Sequence, residues 1–163
     1  MSTPATQPPL VQIQAATPQR TSFVRLSSVL TGYSTDTLAP AIDPIDLASE
    51  YLAAVQQRAD AATVSRLFTV YASIDKATGG DLSKQAAPVQ QQILADPALG
   101  PLARRIIRLW YVSIWYDAEP PSMFEGGTVI SMNAYTGGLV WDAAQAHPMG
   151  YSELAYGYWA SAP

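Results

Sequence analysis

The sequence predicts a mainly α protein: about five helices in a compact bundle, followed by a long, irregular, aromatic-rich C-terminal extension. Three observations carry this prediction. Apolar residues recur at three- and four-residue spacing between Thr21 and Asp117. Helix start and stop residues punctuate the same stretch at intervals that suit a bundle. After Asp117 the periodicity gives way to turn dipeptides, Pro120-Pro121, Gly126-Gly127 and Gly137-Gly138, separated by short apolar runs. The chain thus divides into an extended or disordered arm over 1–20, a helical domain over 21–117 and an irregular C-terminal segment over 118–163.

The arm, MSTPATQPPLVQIQAATPQR, holds four prolines and one charge, which suits an extended leader better than a packed element. In TSFVRLSSVLTGY, Phe23, Leu26 and Leu30 share one helical face, and Gly32 stands where a helix ends. A loop over 33–42 follows. Asp43 then reads as an N-cap, Pro44 as the first helical residue and Asp46 as a first-turn acid, ahead of an apolar stripe of Ala48, Tyr51, Leu52 and Val55. A third helix over about 61–77 turns Val64, Leu67, Phe68, Tyr71 and Ile74 inward and stops before Gly79-Gly80. A short fourth, near 87–95, shows Val89, Ile93 and Leu94. The fifth, DPALGPLARRIIRLWYVSIWYD, has the strongest signal, with a main stripe of Leu99, Leu102, Ala103, Ile106, Trp110 and Ile114. Ile107, Leu109, Tyr111, Val112 and Trp115 fall on its other faces. A helix apolar nearly all round, as this one is after Ile106 apart from Arg108, is enclosed by other elements or by a partner. It is the expected centre of the fold.

Composition narrows the function. Charged residues make up 13% of the 163, about half of the roughly 25% usual in soluble domains. A weakly charged surface keeps a monomer apart poorly and suits a chain that lives in a complex. The aromatic residues crowd into the last third, and no Lys or Arg follows Arg108. Interface cores are rich in Tyr and Trp and poor in charge. The candidate partner-binding residues are therefore Trp110, Trp115, Trp141, Tyr151, Tyr156, Tyr158 and Trp159. Packing in a core competes with this reading at each tryptophan, and a sugar-stacking platform is a more distant third.

The search for chemistry excludes more than it finds. With a net charge of −4 and a sequence pI near 4.7, no basic stripe for nucleic acid exists. Arg104, Arg105 and Arg108 read as a solvated edge or as salt-bridge partners. There is no cysteine, which removes thiolate nucleophiles and cysteine-ligated metal centres. His147 is the only histidine, so no histidine pair can ligate a metal. No G-x-S-x-G, G-x-G-x-x-G or phosphate-loop motif occurs. No catalytic, cofactor-binding or metal-ligating residue is expected in this chain. No run reaches the roughly 18 apolar residues of a membrane span.

Three stretches carry a resemblance. FVRLSSVLTGY resembles the F-x-x-L-S-x-x-L-T-G opening of the small subunits of bacterial FAD-dependent sorbitol, fructose and glucose dehydrogenase complexes. IIRLWYVSIW is similar to that family's apolar helix with a central Trp-Tyr pair. VISMNAYTGGLVWDAAQAHPMGYSELAYGYWASAP resembles its closing pattern, ending in Gly-aromatic-Trp-Ala-x-Pro. The resemblance implies a small subunit with no catalytic residues, tightly bound to a large flavoprotein of the glucose–methanol–choline type that carries FAD and the substrate site. It implies help in folding and exporting that partner, and it admits a multihaem cytochrome c subunit as electron acceptor. It also implies a periplasmic or membrane-associated location, whereas residues 1–20 hold no twin arginine and no apolar export segment, which leaves the cytoplasm open. Two other functions remain in view: a transient assembly chaperone for the flavoprotein, and a stand-alone sugar-active enzyme using Asp142 or Glu153 beside His147.

Overall fold

The computed structural model describes residues 17–121 and 126–148, and these are mainly helical. Helix α1 (Pro18–Thr31) opens three residues earlier than Thr21, because the Thr17 hydroxyl accepts the Arg20 N–H at 3.2 Å and Pro18 pre-sets the first turn. It closes on Gly32, whose φ of 81° is cheap only for glycine. One further capped turn, α2 (Thr35–Leu38), falls within the expected loop and buries Leu38.

Helix α3 (Leu47–Arg58) starts later than expected, and its N-cap is Asp46 rather than Asp43. The Asp43 carboxylate instead accepts the backbone N–H groups of Ile45 and Asp46, at 3.0 and 2.8 Å. That local turn competes with helix and holds the chain out of it. Helix α4 (Ala61–Ala77) has the predicted span and begins on Asp60, which takes the Thr63 N–H at 2.8 Å. A single 3₁₀ turn (Leu82–Lys84) leads into α5 (Ala86–Val89), which loosens into a π turn over Gln90–Leu94.

Helix α6 (Leu99–Val112) is the centre of the bundle. Its main stripe is buried as expected from Leu99 through Trp110, and Leu109 is buried with it. Trp110 lies 6.1 Å from Phe23 in a stacked pair and 4.8 Å from Tyr51 edge-on, so one side chain joins α6 to α1 and α3. Burying each such side chain is worth about 1.5–3 kcal/mol. The start of α6 is equally tight: a Cβ at Gly100 would come within 2.5 Å of the Leu94 carbonyl.

The helix stops at Ser113 and does not reach Asp117, which corrects the longer helix read from the sequence. Ile114 and Trp115 form a strand, β1 (Ile114–Trp115), paired antiparallel with β2 (Thr128–Val129) in the register Ile114↔Val129 and Trp115↔Thr128. Two short helices follow, α7 (Met132–Thr136) and α8 (Leu139–Ala143). The part of 118–163 that is described is thus more regular than the turn signals indicated.

Candidate functional site

Ser113 fixes the C-terminal segment to the bundle. Its left-handed backbone, φ 61°, ends α6 and turns the chain into β1. Its hydroxyl donates to the Ala134 carbonyl of α7. The Tyr51 hydroxyl from α3 lies 2.8 Å from Ser113 Oγ and 3.4 Å from the same carbonyl. The Ser113 carbonyl in turn accepts the Ile130 N–H at 3.0 Å. Burial pushes the Tyr51 phenol up to about 12, so it stays a neutral donor. Gly138 sits beside this knot, where a Cβ would meet the Tyr111 carbonyl at 2.9 Å and Ser113 Oγ at 3.2 Å. The Gly-Gly pair read as a turn therefore also serves a close approach.

The three arginines of α6 brace the other side of the same segment. Arg104 and Arg108 both bond the carboxylate of Glu119, which is 4% exposed. Arg105 donates to the Asp117 carbonyl and lies 5.7 Å from the centre of the Trp115 ring. Arg104 and Arg108 are salt-bridge partners, one of the two readings their spacing allowed, whereas Arg105 bonds backbone and an aromatic face.

What this platform presents is aromatic. Tyr135 and Trp141 meet edge-on at 5.3 Å, and Trp141 Nε1 donates to the Tyr135 carbonyl at 2.7 Å. Tyr33 and Tyr111 form a second edge-on pair at 6.2 Å. The Tyr33 hydroxyl donates to Asp142 at 2.9 Å, and that hydrogen bond raises its phenol pKa. All four rings are partly exposed. Val129 and Met132 on β2 and α7 stand out further, at 51% and 68% exposure.

Of the residues singled out in the sequence, Trp141 lies on this surface. Trp110 and Trp115 do not: at 2% and 1% exposure they are buried in the core of this chain, the packing reading that competed with partner binding at each tryptophan. Burial by α1, α3 and the arginine brace is the cause. Tyr151, Tyr156, Tyr158, Trp159 and Glu153 lie outside the described residues. Tyr33, Tyr111 and Tyr135 were missed; their only signal is position, at helix ends within or facing the cation-free stretch.

Little here can do acid–base work. Asp142 is held by Tyr33, and the exposed His147 ring has Nδ1 at 3.3 Å from the neighbouring Pro148 carbonyl. Among the described residues no cluster of three or more His, Asp or Glu side chains is placed to hold a metal. A groove of about 590 Å³ between α1, α3 and α4 is lined by uncharged side chains such as Gln56, Val64, Ser65 and Phe68. No helix among the described residues is long and apolar enough to cross a membrane.

Comparison with known proteins gives the family. A family model described as membrane bound FAD containing D-sorbitol dehydrogenase matches residues 1–163. No curated protein matches, and no solved structure matches. The chain belongs to the membrane-bound, FAD-containing D-sorbitol dehydrogenase family, as a subunit of such a complex.

Proposed function

We propose that this chain is a non-catalytic small subunit that binds and stabilises the FAD-carrying catalytic subunit of a sugar or polyol dehydrogenase. The partner is a large flavoprotein of the glucose–methanol–choline type, and a cytochrome c subunit takes up the electrons. The observation that carries the reading is one of charge and exposure. From Leu109 to Pro163 the chain holds no Lys or Arg, and the described part of that stretch displays partly exposed aromatic rings on a braced platform. That is the chemistry of an interface core.

The described residues do not fit FAD. A dinucleotide is held where a strand runs through a glycine-rich turn into a helix N-terminus. Here the strands are two residues long and antiparallel, and β2 runs through Ile130 and Ser131 into a five-residue helix. The groove on α4 offers no cation to a pyrophosphate. FAD accordingly belongs to the partner in this reading.

The test is to express the flavoprotein with and without this chain. With it, the dehydrogenase should be soluble, flavin-loaded and bound one-to-one. Equal yield, flavin content and melting temperature in its absence would remove the stabilising role. Loss of the small chain from a finished, stable enzyme would identify a transient chaperone instead.

A further inference from the structure

The groove between α1, α3 and α4 holds about 590 Å³, within the ~300–1,000 Å³ of pockets that seat a ligand. Val64 and Phe68 of α4 line it, with the small side chains of Ala61, Ser65 and Ala72 on the same helical face. Phe68, expected from the sequence to turn inward, is only partly buried. An aromatic ring of the apolar stripe is thus left without full cover. From Ala61 to Ala72 the trough follows α4 for about 16 Å, at 1.5 Å per residue. Among the described residues every side chain lining it is uncharged. The amides of Gln19 and Gln56 stand there too, able both to donate and to accept hydrogen bonds.

The N-terminal arm enters the fold at the edge of this groove. Pro18 and Gln19, the first residues of α1, belong to its lining, and Thr17 before them is extended, at φ −65° and ψ 150°. The chemistry of the arm matches. None of the nine basic and thirteen acidic side chains of the chain precedes Arg20. In PPLVQIQAAT, residues 8–17, Val11, Ile13 and Ala15 alternate with Gln12 and Gln14. An extended chain carries such alternate residues along one side. From Val11 to Thr17 it reaches about 20 Å, enough to run the length of the trough. An uncharged edge gives up no ion hydration on entering an uncharged groove. Tethering so close also supplies an effective concentration of order mM. The stretch beyond Pro148 starts elsewhere: Asp142 of α8 is bonded to Tyr33, past the other end of α1, about 20 Å of helix away.

We propose that residues 11–16 of this same chain lie along the groove as an extended strap. Val11, Ile13 and Ala15 face Val64 and Phe68, and the amides of Gln19 and Gln56 meet the backbone of the strap. Pro8 and Pro9 stiffen the chain just upstream, which lowers the freedom lost on docking. The groove is therefore covered by its own chain and needs no flavoprotein to fill it.

The chain has no cysteine, so Val11→Cys, Gln12→Cys and Ile13→Cys each place a single thiol on the arm of the full-length protein. Alkylation by N-ethylmaleimide is read by mass on the dilute free chain, each rate relative to the same variant in urea. It should be slower by about tenfold or more at positions 11 and 13 than at 12, because a docked thiol reacts only on local opening. Adding Ser65→Arg with Ala72→Arg, both at exposed positions of α4, puts charge into the trough. The three rates should then converge while the helical spectrum is kept. Equal rates at 11, 12 and 13 in the unaltered groove overturn the proposal, whether or not the arginine variant folds. Unequal rates that a folded arginine variant leaves unchanged overturn it too, since the arm then lies elsewhere. Protection that appears only at raised chain concentration, or only with the flavoprotein bound, overturns it in favour of a second copy or of the partner.

Discussion

At Ser113 a helix stops, a two-stranded ladder begins and a hydroxyl crosses to Ala134, twenty-one residues further on. Ser113→Ala leaves the buried Ala134 carbonyl and Tyr51 hydroxyl short of a partner, which should cost about 1–3 kcal/mol in a denaturant titration. Asp75 sets a pH dependence. The Arg25 guanidinium, bonded at 2.7 Å, holds its carboxyl below the usual range; partial burial opposes this and a Gln85 hydrogen bond adds to it. A lowered carboxyl contributes stability above its unfolded pKa of about 3.9 and loses it as pH falls through the folded value. Melting temperature should therefore drop below about pH 4, and Asp75→Asn should flatten that limb of the curve. If the profile of the variant matches wild type, the pair contributes nothing. At this scale sequence reasoning erred over neighbours: Asp43 and Asp46 are both plausible caps, and the ion pair from Arg20 to Asp46, along with Asp43's own turn, favours the second.

Among elements, α4 and the apolar stripe of α6 were legible because local periodicity and caps sufficed to specify them. The end of α6 was not. Its apolar run continues through Trp115, and what stops it is a hydrogen bond to a residue in another segment, together with pairing of β1 to β2. Helix α7 was missed for another reason: its cap is local, Ser131 accepting the Ala134 N–H at 3.0 Å, but five residues are too few to show a helical period. Trp110 joins α1, α3 and α6, so Trp110→Ala should cost about 3–5 kcal/mol of stability, seen as unfolding of the free chain. A variant that stays fully stable yet fails to bind a partner would return Trp110 to the interface. Truncation after Gly150 should do the reverse, leaving the helical spectrum and melting temperature of the bundle intact while abolishing co-purification. Retained binding would show that Tyr151, Tyr156, Tyr158 and Trp159 are not anchors.

The whole molecule reads as a bundle with a braced, cation-free flank. Low charge, late aromatics and the absence of a catalytic motif were all visible in composition. Which aromatics face out was not, since burial depends on packing partners that the linear pattern does not contain. Trp110 and Trp115 went inward, while Tyr33 and Tyr111, given no interface role in the sequence, are partly exposed. The most direct measurement is co-expression of the tagged chain with its genomic neighbours, followed by purification and a visible absorption spectrum of each separated subunit. The predicted result is a stoichiometric large partner whose flavin bands stay with it, leaving this chain colourless. A chain that purifies alone, or one that keeps flavin after separation, would contradict the subunit role.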